Sequence, residues 1–161
     1  MTTESVVPER LHVWALSLRA SEEARRRGDR RTGTDHLLLA LLEDPSIEGV
    51  LGVNLEQARQ ALASLDQEAL GALGVGSGTD VPPLPPGAVP KKPTFRAVMH
   101  RDRLRMTPAA KRVLEKAVRP NHRKTQVTAQ QVLAEILALQ PPDPAAVLLG
   151  ALGVNASEVR H

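Results

Sequence analysis

A chain of 161 residues, 42% of them apolar, is long enough for one ordinary domain or two very small ones and can bury a core. It contains no cysteine, which excludes disulfides, thiol catalysis and Cys-ligated zinc and fits a reducing compartment. Lys and Arg number 21 against 18 Asp and Glu, and the resulting net charge of +3 permits an acidic partner without demanding one.

Trp14 and Phe95 are the only aromatic residues, so the core has to be built from Leu, Val, Ala and Ile. That favours close-packed helices over a sandwich, which leans on aromatic and β-branched side chains. No apolar run reaches the roughly 18 to 20 residues that span a bilayer, and MTTESVVPER lacks the basic-then-apolar order of a signal peptide. A soluble, cytoplasmic protein is expected.

In chain order, LHVWALSLRASEEARRR predicts an amphipathic helix ending near Arg27, with Leu11, Trp14, Leu18 and the stem of Arg25 on its inner stripe and Glu22 and Glu23 facing out. After a Gly28-Asp29 turn comes GTDHLLLALLED. Here Thr32 or Thr34 is positioned to cap a helix, Asp35 suits the positive end of its dipole, and Leu37 to Leu42 cover nearly its whole circumference, so it must be buried on most sides. Asp44-Pro45 stops that helix and starts a short one at Ser46 to Leu51. LEQARQALASLDQEAL then predicts a fourth helix with Leu55, Ala58, Leu62 and Leu65 in register.

Residues 71–103 change in character. Six prolines between positions 82 and 93 and four glycines between 71 and 78 predict a linker. The second part, 104–161, then echoes the first, 1–70. MTPAAKRVLEKAV carries a Thr107-Pro108 helix start and the stripe Ala110, Val113, Leu114 and Ala117. A break at RPNHRK precedes TAQQVLAEILAL, in which Thr128 and Gln131 have capping-box spacing. Asp143-Pro144 repeats Asp44-Pro45, and LGVNASEVR at 152–160 repeats LGVNLEQAR at 51–59. The expectation is an all-α protein of two tandem four-helix repeats packed as one pseudo-two-fold-symmetric domain, each with a buried helix at its centre.

These residues together resemble the Clp N-terminal domain, the Clp repeat domain of the AAA+ unfoldases ClpA and ClpC. Glu22, Glu23, Ala24, Gly33, Thr34 and His36 match the first repeat, with Asp35 in the place of the usual Glu. MTPAAKRVLEKAV, VTAQQVLAEIL and LGALGV match the second. The resemblance implies a non-enzymatic receptor that docks adaptors and captures substrates and, in ClpC-type proteins, binds phosphorylated arginine through the carboxylate of this motif. Asp35 keeps that charge. In the second repeat the corresponding positions are Ala129 and Gln130, and a neutral amide cannot make the charge-assisted fork that strong guanidinium recognition needs. One working site per chain is therefore expected, with Thr34 and Asp35 as polar contacts, Arg30 and Arg31 of the basic RRRGDRR run near a phosphate, and Gln130 as a weakened counterpart.

No G-x-x-x-x-G-K-[ST] occurs, so ATP hydrolysis by that route is excluded, and the sequence fits either a stand-alone repeat protein or a piece of a larger one. The bland readings are plain. Asp35 alone is a capping carboxylate, the basic run is a solvated helix end, and His36 is a packed histidine, since His12, His100, His122 and His161 are scattered without metal spacing. GVGSG at 74–78 precedes prolines rather than a helix and belongs to the linker, where Phe95 beside Lys91 and Lys92 suits an anchor between the repeats better than the alternative, a place in a peptide-binding groove. No grouping suggests nucleophilic catalysis, and no cofactor or metal is implied. Expected partners are Clp unfoldase or protease components, adaptors and tagged substrates, served by delivery or by competition. The alternative is helix-turn-helix binding to nucleic acid through RPNHRKT and VTAQQVLAEIL, which the interleaved charges disfavour.

Overall fold

The computed structural model describes residues 10–74, 104–118, 126–154 and 159. The expected linker beyond Gly74, with Phe95 and His100, the RPNHRK break and most of the final LGVN segment lie outside the described residues. Strand β1 (Arg10–His12) leads into α1 (Val13–Arg27), and β2 (Arg31–Thr32) leads into α2 (Thr34–Leu41). Next come α3 (Pro45–Leu51) and α4 (Leu55–Ala72). Then β3 (Arg105–Met106) precedes α5 (Pro108–Val118), β4 (Gln126–Thr128) precedes α6 (Ala129–Leu137), and α7 (Pro144–Ala151) follows. The protein is all-α, with seven helices among the described residues.

Local chemistry accounts for most of the boundaries. α1 ends in a left-handed Gly28, with Gly28 N–H donating to the Arg25 carbonyl and Asp29 N–H to the Ala24 carbonyl, the paired bonds of a Schellman motif. Asp44 and Asp143 each cap a helix whose first residue is proline, accepting from Ser46 N and Ala145 N. Thr107 accepts from Ala110 N, and Thr128 and Gln131 form the predicted capping box at 3.2 and 3.0 Å. A second such box, Asn54 with Gln57, opens α4, which runs two residues into the segment expected as linker.

The two parts interlock by exchanging strands. β1, before the first helix of one repeat, pairs antiparallel with β4, before the second helix of the other. β3, before α5, pairs in turn with β2, before α2, here in parallel register. The placement of the pairs is thus two-fold, while their direction is not. One continuous core of Leu, Ala, Val and Ile joins both parts. α2 lies at its centre, packed against α1 and α4 of its own repeat and α5, α6 and α7 of the other, and every residue of α2 is buried. This is the physical reason that LLLALL is apolar all round. Its counterpart α6 differs from expectation: it buries Ala129, Val132, Leu133, Ile136 and Leu137 but exposes Gln130 and Ala134, so only one repeat has a fully enclosed central helix.

α1 also departs from the expected pattern. Its buried face is Leu16, Ser17, Ala20, Ser21, Glu23 and Ala24, whereas Trp14 is 52% exposed. Small residues at i, i+4 spacing let α1 approach α2 closely, and an indole would hold the two helices apart. The buried hydroxyls stay satisfied: Ser21 Oγ reaches the Ser17 carbonyl at 2.8 Å and Thr32 Oγ1 at 3.2 Å. Glu23, expected to face out, is 3% exposed and receives a two-pronged bond from Arg59 of α4, Nε to Oε2 at 3.1 Å and Nη2 to Oε1 at 2.5 Å. That bond raises the Arg59 guanidinium further above its ordinary range. Among the described residues no buried side-chain nitrogen or oxygen lacks a partner.

Candidate functional site

The Gly-Thr-Asp-His sequence folds into the corner where α1, β2 and α2 meet, and each of its residues has a distinct task. Gly33, not a threonine, is the N-cap of α2; its φ of −94° would suit any residue. The requirement for glycine is steric, because a Cβ built there would overlap Asp35 Oδ1. His36 Nδ1 accepts the Gly33 N–H at 2.9 Å, half of a capping box, so the ring proton resides on Nε2, which donates to Asp29 Oδ2 at 3.0 Å. His36 Nδ1 and Asp35 Oδ1, 3.3 Å apart, are therefore two acceptors side by side rather than an ion pair. His36 is a packed, hydrogen-bonded structural residue, as its sequence context suggested.

Thr34 has turned inward. It is buried, and its Oγ1 donates to Asp143 Oδ1 at 2.6 Å while lying 3.4 Å from Ala145 N. The N-cap carboxylate of α7 in the second repeat thus anchors the start of α2 in the first. Ala129 occupies the place of Thr34 in the second repeat and has no hydroxyl, so this tie is made once. Thr34 ties the start of α2 to the start of α7 and does not line the cleft described below.

Asp35 is 6% exposed and already holds a guanidinium. Arg27 Nη1 lies 3.0 Å from Asp35 Oδ2, and the same guanidinium meets Asp66 Oδ2 of α4 at 2.6 Å and Asp29 Oδ2 at 3.6 Å. Three carboxylates from three elements surround one arginine. The Schellman reversal after α1 makes this possible, because it turns Asp29 back toward the end of the helix that bears Arg27. A cation there also complements the negative end of the α1 dipole.

Outside this cluster lies a cleft of about 610 Å³. Arg27, Asp29, Arg30, Arg31, Asp35 and Asp66 form its polar wall; Leu62, Leu65, Pro142, Pro144 and Val147 form an apolar one, contributed by both repeats. Of the residues singled out from sequence, Asp35, Arg30 and Arg31 come together here. Arg30 and Arg31 are exposed at the rim and make no ion pair among the described residues. Gln130 stands apart, exposed at the second position of α6, where it matches Asp35 by register from the N-cap. Sequence reasoning missed Arg27, Asp29, Asp66 and the partner role of Asp143. The run RRRGD carried a signal for the first two, since an arginine in a last helical turn before Gly-Asp lies beside the folded-back aspartate.

α6 offers little to a nucleic acid. Its exposed residues are Gln130 and Ala134, with half-buried Gln131 and Glu135, and Glu135 adds a negative charge. No helix among the described residues is long and apolar enough to cross a membrane. A comparison with curated proteins found no match. The family model of the Clp repeat (R) N-terminal domain, however, matches residues 12–148, spanning both repeats and the segment between them. The interlocked helical repeats and that match lead to one conclusion: the chain belongs to the Clp repeat N-terminal domain family.

Proposed function

We propose that this chain is a non-enzymatic protein-binding module of the Clp system whose ligand enters the cleft beside Asp35, and that the ligand is an arginine-based tag of the phosphoarginine type. The observation that carries this reading is the carboxylate of Asp35 holding a guanidinium at 3.0 Å on the wall of a cleft rimmed by Arg30 and Arg31. A carboxylate that binds one guanidinium in this geometry suits another, and two exposed arginines suit the phosphate attached to it. The apolar wall of Leu62, Leu65 and Val147 leaves room for a side chain neighbouring the tag. Gln130 lacks the charge for a second site, so one ligand per chain is expected.

Such a module serves either to deliver tagged proteins and adaptors to a Clp unfoldase or to compete with it for them. Isothermal titration with phosphoarginine tests the reading. Saturable binding near one site per chain, lost in Asp35→Ala and weakened in Arg30→Ala/Arg31→Ala, is expected. Heat that is absent with the wild-type chain, or unchanged in Asp35→Ala, would refute it.

A further inference from the structure

The carboxylate expected to receive a ligand is occupied by the chain's own arginine. From this we infer that Arg27 is a built-in competitor that sets how strongly the cleft discriminates phosphoarginine from unmodified arginine; the inference rests on the cleft being the ligand site. Arg27 Nη1 sits 3.0 Å from Asp35 Oδ2 and Nη2 sits 2.6 Å from Asp66 Oδ2, so a ligand guanidinium can reach Asp35 only by displacing a chemically identical group.

The exchange has a simple energetic consequence. An unmodified arginine side chain gains at Asp35 about what Arg27 gives up, and it must also lose its own translational and rotational freedom, so its net affinity is poor. A phosphorylated guanidinium makes the same exchange and adds contacts that Arg27 never had, from its phosphate to Arg30 and Arg31 and to the displaced Arg27 itself. The displacement penalty falls on both ligands alike, so selectivity comes from the phosphate's contacts, of which the one to the displaced Arg27 is made only because this arginine occupies the subsite. If the latch is closed nine-tenths of the time, the apparent affinity of a ligand without extra contacts falls by roughly tenfold. Asp66, on the polar wall of the cleft and 2.6 Å from Arg27 Nη2, is the second carboxylate that holds the latch closed.

The test is a titration of wild type, Arg27→Ala and Asp66→Asn with methylguanidinium, arginine and phosphoarginine. Arg27→Ala should gain binding of methylguanidinium and arginine by about tenfold or more, and the preference for phosphoarginine should narrow accordingly. Asp66→Asn, at a half-exposed position, keeps the Arg27 guanidinium but weakens the hold on it, so it should raise the affinity of all three ligands by about a few-fold with the preference kept, and it remains decisive if Arg27→Ala does not fold. Loss of phosphoarginine binding in Arg27→Ala with no gain in arginine or methylguanidinium binding would make Arg27 a direct ligand only and overturn the latch. Unchanged affinity for methylguanidinium and arginine in both variants would overturn it too while leaving the cleft as a phosphoarginine site. Absence of binding by wild type and variants alike would remove the site itself.

Discussion

Arg59→Ala would remove the guanidinium that Glu23 receives in the interior. Glu23 is 3% exposed, and its two oxygens have Arg59 as their cation at 3.1 and 2.5 Å. Deleting one member of a buried pair typically costs about 3–5 kcal/mol, because the remaining charge loses its compensation. The side chain of Arg59 is itself 30% exposed, so water can enter the space it vacates, which brings the expectation down to about 2–3 kcal/mol. For a domain of this size that lowers the thermal midpoint by about 4–12 °C. Urea unfolding followed by circular dichroism measures the change directly. Replacing both partners, as Glu23→Gln with Arg59→Met, removes the buried charge and should restore stability to within about 1 kcal/mol of wild type. A cost for Arg59→Ala below about 0.5 kcal/mol, or a double variant less stable than the single one, would refute the reasoning.

Three further outcomes follow from the same contacts. Leu38→Ala, at a fully buried position of the central helix, should cost about 3–5 kcal/mol in urea unfolding, with the chain at the destabilised limit of folding. Thr34→Val keeps the shape of the side chain but leaves Asp143 Oδ1 without the hydroxyl donor; a loss of about 1–2 kcal/mol is expected, and hydrogen exchange should quicken at the start of α7. Burial raises the pKa of Glu43, with Arg19 at 3.5 Å opposing it. The folded chain then binds this proton more tightly than the unfolded one, so the contribution of Glu43 to stability falls as pH rises from its ordinary value of 4.5 through the raised folded value. Glu43→Gln should flatten that part of the stability–pH curve and be neutral to mildly stabilising at pH 7; a steeper curve would contradict the sign.

Much of this fold was legible in the chain. Thr107-Pro108, Thr128 with Gln131, and the two Asp-Pro pairs mark helix starts through local hydrogen bonds, and local bonds are what a sequence window contains. The all-round apolar run after His36 announced a helix enclosed on every side, which α2 is. What escaped were features fixed by distant partners. Glu23 reads as a solvent-facing acid until Arg59, 36 residues away, is brought against it. Trp14 reads as a core residue until the close approach of α1 to α2 through Ala20 and Ala24 leaves no room for an indole. The site was divided in the same way. That Asp35, Arg30 and Arg31 lie close together follows from their nearness in the chain, while the pairing of Arg27 with Asp66 and of Thr34 with Asp143 joins residues far apart in sequence.

The central claim is that the cleft at the α1–β2–α2 corner receives the guanidinium of an arginine-based tag. Amide chemical-shift mapping during titration of the isotopically labelled chain with phosphoarginine addresses it most directly. The account predicts saturable shifts concentrated between Gly28 and His36 and at Thr107 and Val147 across the cleft, with Gln130 unmoved. Shifts centred on Gln130 and the start of α6, or an unchanged spectrum at saturating ligand, would contradict it.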